Sequence, residues 1–187
     1  MTPFVTSTLR IFHENPSAVT AGADLLLVTC PIDTGNRPTV DTPNRSSSAN
    51  TDKITGRALA NSAYLAPNAL VIPVQKSDRN PFADSITIGR ARNNDLVIEH
   101  AQVSKVHAYA MFIAGDRTSI MLKDGNSMNG TWVFLGSGMR RLAKGESVLI
   151  HVGMELRIGV VDTMLVDPDG LLQAVTYAAK NWKPEDL

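Results

Sequence analysis

The chain lacks the features that mark several large classes of protein. Cys30 is the only cysteine in 187 residues, which excludes an internal disulfide and any metal site built from several cysteines. Acidic and basic residues number 18 each, so the net charge of zero gives no general reason to expect nucleic acid or an anionic membrane as a partner. No apolar run approaches the roughly 18 residues that span a bilayer. We therefore expect a cytoplasmic protein that does not insert into membranes and needs no metal or cofactor.

Apolar residues make up 43% of the chain, enough for a core of ordinary size. The composition changes over residues 31–53, where prolines and many Ser, Thr and Asn residues predict a flexible linker. We predict three parts: an N-terminal extension over residues 1–67 that includes this linker, a β-sandwich over residues 68–167, and a C-terminal helix over residues 168–187. The apolar positions of this helix repeat at three- and four-residue steps, at Leu172, Val175, Ala179 and Trp182. Within the extension, the apolar run over residues 25–28 is compatible with a buried strand.

Short apolar runs separated by turn residues follow one another from residue 69 onward. The run over residues 69–74 predicts a first strand, and Pro73 within it indicates an edge position, since proline has no N–H for a neighbouring strand. Further strands are predicted at residues 86–88, 96–98, 107–113, 119–122, 131–134, 148–152, 154–158 and 160–166. This spacing is typical of a β-sandwich, and polar loops at one end of such a fold commonly carry the binding residues.

Three polar clusters lie beside these strands. They are Gly89-Arg90, the Ser-Lys-Val-His of residues 104–107, and the Asp-Gly-Asn-Ser-Met-Asn-Gly-Thr of residues 124–131. Arg90 presents a planar charged fork that suits two phosphate oxygens. Further cations that can extend a positive rim are Arg92, Arg140 and Arg141.

The other polar side chains of these clusters complete a candidate phosphopeptide site. Ser104 offers a hydroxyl donor, and Lys105 adds a point charge. Asn129 carries an amide donor and acceptor that can hold a peptide backbone, and Gly130 permits the positive φ of a tight turn.

The order of these clusters resembles the forkhead-associated (FHA) domain: Gly-Arg, then Ser-x-x-His, then Asp-x-x-Ser-x-Asn-Gly-Thr. Residues 142–146, Leu-Ala-Lys-Gly-Glu, are similar to that family's Leu-x-x-Gly-Asp turn, with Glu in place of Asp. The resemblance covers roughly residues 68–167. It implies an all-β sandwich of eleven strands in two twisted, antiparallel-type sheets, which binds phosphothreonine peptides at the loops of one end.

The resemblance also implies roles for individual residues. Arg90 and Ser104 would hold the phosphate, Lys105 matches a position that can add a phosphate contact, and Asn129 would hydrogen-bond the peptide main chain. The residues expected to shape the loops without touching the ligand are Gly89, His107 and Gly130. Gln102 lies in the loop that helps to select the residue three places after the phosphothreonine.

Two positions depart from the family pattern. Lys105 stands where an arginine is common, which keeps the charge but loses the fork. Met128 stands where Ser or Thr often donates to the phosphate, and losing a neutral donor costs on the order of 1 kcal/mol. Losing Arg90 would cost more, since hydrogen bonds to charged groups contribute about 1.5–3 kcal/mol. We therefore expect binding to be retained in weakened form.

An enzyme is not expected. The Ser104 and His107 pair invites a hydrolase interpretation, but no acid at a recognisable spacing orients the histidine. The favoured function is a non-enzymatic, phosphothreonine-dependent adaptor in signalling or assembly, whose partner is phosphorylated by a Ser/Thr kinase. The alternative is an FHA-like structural protein, for example in a bacterial secretion apparatus, that binds partners without phosphate.

The predicted linker suggests a ligand within the same chain. Its threonines at 34, 39, 42 and 51, if phosphorylated, could fold back into the site. A tether of a few dozen flexible residues gives an effective concentration in the millimolar range, enough to occupy a weak site.

Overall fold

The computed structural model describes residues 7–20, 22–30, 63–135 and 138–181. The predicted linker over residues 31–53, with its threonines, lies outside these ranges, as does Trp182. The strands are β1 (Ser7–Thr8), β2 (Leu26–Thr29), β3 (Leu70–Pro73), β4 (Ile86–Gly89), β5 (Leu96–Val97), β6 (Ala108–Ile113), β7 (Asp116–Asp124), β8 (Thr131–Phe134), β9 (Met139–Arg141), β10 (Ser147–His151), β11 (Glu155–Ile158) and β12 (Val161–Val166). The helices are α1 (Leu9–Glu14), α2 (Pro16–Thr20) and α3 (Pro168–Ala178), with short 3₁₀ turns at Ala63–Leu65 and Ala179–Asn181.

The strands form two sheets. One has seven strands in the order β1-β3-β2-β12-β11-β8-β9, and the other has five in the order β10-β7-β6-β4-β5. All neighbours pair antiparallel except β4 and β5, which are parallel. The predicted all-β sandwich with a short C-terminal helix is confirmed. The described strands number twelve where the resemblance implies eleven.

A core of aliphatic side chains fills the space between the sheets. In the five-stranded sheet, Ile120 and Leu122 alternate along β7, and Ile120 lies opposite Ile150 of β10. Leu156 and Ile158 of β11 face them from the other sheet and are almost fully buried. Burying one such side chain stabilises the fold by about 1.5–3 kcal/mol, and the β-branched residues favour the strands that present them.

Residues before the predicted start of the sandwich also belong to its larger sheet. Strand β2 pairs with β3 and β12, and all four of its residues are buried. Its two faces meet different cores: Leu27 joins the core between the sheets, whereas Leu26 and Val28 join a second core on the outer face. The sandwich therefore extends N-terminally past residue 68, which the sequence did not indicate because a single run does not reveal its partner strands. The division of the chain into three parts at residues 68 and 168 stays a prediction.

The second core lies between the seven-stranded sheet and the helices. Leu9 and Phe12 of α1 are fully buried there, as is Val175 of α3. Helix α3 begins after the N-cap Asp167, whose side chain accepts from the Gly170 N–H at 2.7 Å, with Pro168 at the first helical position. Its buried face consists of Leu171, Ala174, Val175 and Ala178. None of the described helices is long and apolar enough to cross a membrane.

The prediction that Pro73 marks an edge strand needs correction. Strand β3 lies between β1 and β2, so it is internal in the order of the sheet. However, β1 pairs only with Leu70 and Val71. Among the described residues, Pro73 therefore has a strand partner on the β2 side alone, and its missing N–H leaves no described ladder bond broken.

Candidate functional site

The three predicted clusters meet at one end of the sandwich. The backbone N–H of Arg90 donates to Ser104 O at 3.0 Å, which joins the loop after β4 to the loop before β6. The N–H of Met128 donates to Ser104 Oγ at 3.1 Å, and Asn129 Nδ2 donates to Gln102 O at 2.7 Å, which joins both to the loop after β7. Loops distant in the sequence thus form a single surface.

A buried, uncharged histidine connects these loops from below. His107 is fully buried, and its Nδ1 accepts the backbone N–H of Ser104 at 3.0 Å. Because neutral imidazole has one acceptor and one donor nitrogen, Nε2 carries the proton and donates to Gly130 O at 3.0 Å. Burial lowers the pKa of His107 and favours this neutral form. The ring has no free nitrogen with which to act as a base towards Ser104.

Two glycines allow the backbones to approach. A Cβ on Gly89 would overlap the carbonyl oxygen of Lys105, so a side chain there would push the first two loops apart. Gly130 has φ +79°, in the left-handed region that favours glycine. A Cβ at Gly130 would also overlap the guanidinium of Arg141.

Asp124 braces the loop that carries Asn129. Its carboxylate accepts the Ser127 N–H at 2.9 Å, the Ser127 hydroxyl at 2.7 Å and the Thr131 hydroxyl at 2.7 Å. Ser127 Oγ in turn accepts the Gly130 N–H at 3.0 Å. Burial raises the pKa of Asp124, but the hydrogen bonds from Thr131 and Ser127 outweigh it and hold the pKa below its usual range. The Asp-x-x-Ser part of the motif therefore fixes the turn.

A second buried carboxylate, Asp95, was not singled out from the sequence. Its side chain is 0% exposed and lies 3.0 Å from Lys76 Nζ. It accepts five further hydrogen bonds at 2.6–3.0 Å, from the N–H and hydroxyl of Ser77, the N–H and hydroxyl of Thr87, and Asn80 Nδ2. Burial raises the pKa of Asp95, but these hydrogen bonds outweigh it and keep the pKa well below its ordinary value.

The neighbour of Asp95 supports the loops as well. Asn94 is buried, and its Nδ2 donates to Ala91 O at 2.7 Å and to Lys105 O at 2.6 Å. The only signal for this pair in the sequence is two adjacent polar residues at the start of an apolar strand, where an Asx turn would be equally plausible.

Above this buried framework lie side chains with unused polar groups. Arg90 and Lys105 are exposed, and neither makes an ion pair within the described ranges. Ser104 Oγ accepts the Met128 N–H, so its own proton remains available to a ligand. Asn129 is half-buried, with one N–H on Gln102 O and its side-chain oxygen uncommitted. Met128 is 86% exposed, the largest value among the exposed large apolar side chains that the structure describes.

The remaining rim candidates differ from Arg90. Arg92 lies 3.4 Å from Glu99, with both side chains largely exposed. Arg140 forms a two-pronged pair with Glu146 at 2.9 and 2.7 Å. Glu146 also accepts the Ala143 N–H at 2.7 Å, so the glutamate side chain stabilises the Leu-x-x-Gly-Glu turn from within. The hydrogen bond from Arg140 lowers the pKa of Glu146 to about 2.

Another serine and histidine lie close together at the opposite end of β7. Ser119 Oγ is 2.7 Å from His151 Nδ1, but Ser119 is fully buried and so cannot meet a substrate. In the portion of the chain that the structure describes, no group of three or more His, Cys, Asp or Glu side chains is placed to hold a metal ion.

Fold and loops together define a class of protein: a two-sheet β-sandwich whose polar loops form a binding surface at one end. Residues 86–159 match the family model for the FHA domain. Over these residues the chain therefore carries an FHA domain, and FHA domains are protein-binding modules.

Solved structures similar to this chain come from several organisms. EmbR of Mycobacterium tuberculosis, in complex with a low-affinity phosphopeptide, is 28% identical, with a TM-score of 0.36 over 46% of this chain and 20% of EmbR. The FHA domain of the CT664 protein of Chlamydia trachomatis is 20% identical, with a TM-score of 0.38 over 47% of this chain and 81% of that one. The FHA domain of an Arabidopsis thaliana hypothetical protein is 22% identical, with a TM-score of 0.40 over 53% of this chain and 73% of that one. No curated protein sequence matches this chain.

Proposed function

We propose that this FHA domain is a non-enzymatic adaptor that captures a threonine-phosphorylated protein at its loop surface. The observation that carries the proposal is the pair of unpaired cations, Arg90 and Lys105, beside a serine whose hydroxyl proton is free. A phosphate dianion needs this combination of charge and directed donors. The partner would be prepared by a Ser/Thr kinase, and the setting would be the cytoplasm.

Each exposed residue has a distinct role in this mechanism. Arg90 supplies a two-pronged contact to phosphate oxygens, Ser104 adds a hydroxyl donor, and Lys105 adds charge without a fixed geometry. Asn129 is held by Gln102 O at 2.7 Å, so its amide oxygen is positioned in advance to accept a peptide N–H. No bond is made or broken.

Selection of phosphothreonine over phosphoserine rests on a single methyl group. In a fitted apolar contact one methyl is worth about 1 kcal/mol or somewhat more. Met128 is an apolar side chain at the edge of the surface that can supply this contact, since its backbone N–H is fixed on Ser104 Oγ.

The test is a calorimetric titration of a degenerate phosphothreonine peptide pool into wild type, Arg90→Ala and Arg117→Ala. Arg117 is the matched control, because it is an exposed arginine at the other end of β7, paired with Asp24. We expect micromolar binding by wild type and Arg117→Ala, none by Arg90→Ala, and none of the unphosphorylated pool. If neither wild type nor Arg117→Ala bound the phosphopeptides, the result would favour the alternative, in which the domain assembles with partners without phosphate.

A finer part of the proposal is that a linker threonine serves as a ligand in cis. The hydrogen bonds around Cys30 support it. Its N–H donates to Asp162 O at 2.9 Å, and three residues before Asp162 the Gly159 N–H donates to Gly130 O at 3.1 Å, beside Asn129. Cys30, the last described residue before the predicted linker, thus lies at the same end of the sandwich as the loop surface.

The number of residues between Cys30 and each threonine sets its reach. An extended chain spans about 3.3–3.6 Å per residue, so Thr39 and Thr42 can reach about 30–40 Å from Cys30, whereas Thr34 reaches only about 14 Å. Thr39 and Thr42 can therefore reach more of the loop surface than Thr34 can.

This part of the proposal is tested on the full chain, because truncation near residue 69 would remove β1 and β2. Wild type is compared with a variant carrying valine at 34, 39, 42 and 51, each before and after treatment with a Ser/Thr kinase, with phosphorylation verified by mass spectrometry. We expect phosphorylation to weaken binding of an external phosphopeptide by wild type and to leave the variant unchanged. Equal affinity of phosphorylated and unphosphorylated wild type would contradict autoinhibition in cis.

A further inference from the structure

Arg141 carries an unneutralised charge beside the loop surface. Among the described arginines, Arg90 and Arg141 have no acidic partner, while Arg79 makes interactions of its own. The preceding residue, Arg140, is fully engaged with Glu146. Because successive residues of a strand point to opposite faces of the sheet, the side chains of the two adjacent arginines of β9 lie in different surroundings.

The position of the Arg141 guanidinium is fixed by its neighbours. Arg141 lies opposite Trp132 in the β8–β9 pairing, and its guanidinium carbon is 5.9 Å from the Trp132 ring centroid. Such a cation–π contact holds the planar group while leaving its outer N–H donors available. The pre-organised charge therefore loses less conformational entropy on binding than an unrestrained surface arginine would.

The same two residues contact the loop that carries Asn129. Trp132 Nε1 donates to Asn129 O at 3.1 Å, and the Arg141 guanidinium packs against Gly130, where any Cβ would overlap it. The glycine after Asn129 therefore makes room for a guanidinium as well as for a turn. This places a cation one residue from the side chain that would hold the peptide backbone.

We propose that Arg141 forms a second anion-binding subsite, which selects peptides with an acidic or phosphorylated side chain near the phosphothreonine. The inference rests on the proposed function and names its preferred ligand. A carboxylate or a second phosphate matches the open donors of the guanidinium, and either is attracted by the uncompensated charge. Arg90 and Arg141 would then bind two anions on one peptide, the first as anchor and the second as selector.

The test is a positional scan of one phosphothreonine peptide. Each of the four positions on either side of the phosphothreonine is changed in turn to Asp, to Asn or to phosphoserine, and binding is measured to wild type, Arg141→Gln and Arg140→Gln. We expect about a threefold gain for Asp over Asn at one or two adjacent positions, and roughly tenfold for phosphoserine at the same positions. The gain should vanish in Arg141→Gln and persist in Arg140→Gln.

The controls separate failure of this inference from failure of the proposed function. Arg141→Gln should still bind the all-Asn peptide within about twofold of wild type and unfold within about 5 °C of it, since Arg141 is exposed and loses only its cation–π contact with Trp132. A wild type that binds the all-Asn peptide but shows no acidic preference would overturn the inference and leave the function standing. A preference for acidic peptides that persists in Arg141→Gln would also overturn the inference and leave the proposed function standing. Absence of phosphopeptide binding by wild type would overturn both.

Discussion

The loop surface has two layers that differ in how their polar groups are used. In the upper layer, Arg90, Lys105 and Asn129 retain charges or hydrogen-bonding groups that nothing in the described structure satisfies. In the lower layer, Asp95 and His107 are buried, and the polar atoms of their side chains all meet groups of the same protein. The difference indicates that the upper layer is available for a ligand, whereas the lower layer determines where the upper one lies. Substitutions should therefore separate binding from stability.

The largest effect is expected from Asp95→Asn in the lower layer. The change removes the charge opposite Lys76, and because the Ser77 and Thr87 N–H groups donate to different carboxylate oxygens, the new amide N–H₂ must face one of these two donors. Breaking a buried, hydrogen-bonded ion pair on one side costs about 3–5 kcal/mol, here in the free energy of unfolding. Urea denaturation measures it, with the exposed Asp78→Asn as a control expected to stay within about 0.5 kcal/mol of wild type.

The pH dependence of the same variant sharpens the prediction. The folded pKa of Asp95 lies below the ordinary value near 3.9, so its carboxylate stabilises the fold fully above that pH. This stabilisation is lost as the pH falls from about 4 towards the folded pKa. The difference in unfolding free energy between wild type and Asp95→Asn should be constant from pH 8 to pH 5 and shrink below pH 4. A difference that does not change with pH would indicate that shape, rather than charge, is what Asp95 contributes.

His107→Ala is expected to have the next largest effect, and it should alter both properties at once. It leaves the Ser104 N–H and Gly130 O without their buried partner, at about 1–3 kcal/mol for each unsatisfied group, although Gly130 O keeps the Gly159 N–H. Because the ring joins the Ser104 loop to the Asn129 loop, phosphopeptide binding should weaken as well. Chemical denaturation and peptide titration on the same sample measure the two effects. Weakened phosphopeptide binding at an unchanged free energy of unfolding would contradict the division into two layers, because His107 would then behave as a residue of the upper layer.

The sequence revealed the upper layer more readily than the lower one. Arg90, Ser104 and Asn129 lie in short motifs whose order can be recognised along the chain, and the structure brings their loops together. Asp95 is different, because its partners Ser77, Asn80 and Thr87 come from separate segments that only folding places around a single carboxylate. Nothing local distinguishes a buried aspartate from one in an exposed turn.

The same limit explains the outer core of the seven-stranded sheet. The apolar run that becomes β2 was visible, but not that β3 and β12 flank it or that α1 and α3 cover its outer face. Periodicity within the C-terminal helix indicated a stripe through Leu172, Val175, Ala179 and Trp182. The buried face instead runs through Leu171, Ala174, Val175 and Ala178, because contact with α1 and the sheet decides which side is covered. Patterns within one element define its type better than its orientation.

The smallest effect is expected from Met128→Thr. This variant tests whether ligand binding by the upper layer can change while the stability that the lower layer provides stays the same. A threonine hydroxyl at this position would restore a neutral donor next to the phosphate, worth on the order of 1 kcal/mol, or about fivefold in affinity. The unfolding free energy should stay within about 0.5 kcal/mol of wild type, because the Met128 side chain is 86% exposed. Met128→Val is the matched control, since valine has the shape of threonine without the hydroxyl. Tighter binding by the threonine variant alone would show that a missing donor weakens the native site. Weaker binding by both variants would instead assign Met128 an apolar contact with the phosphothreonine methyl, and the departure from the family pattern would be a specificity element.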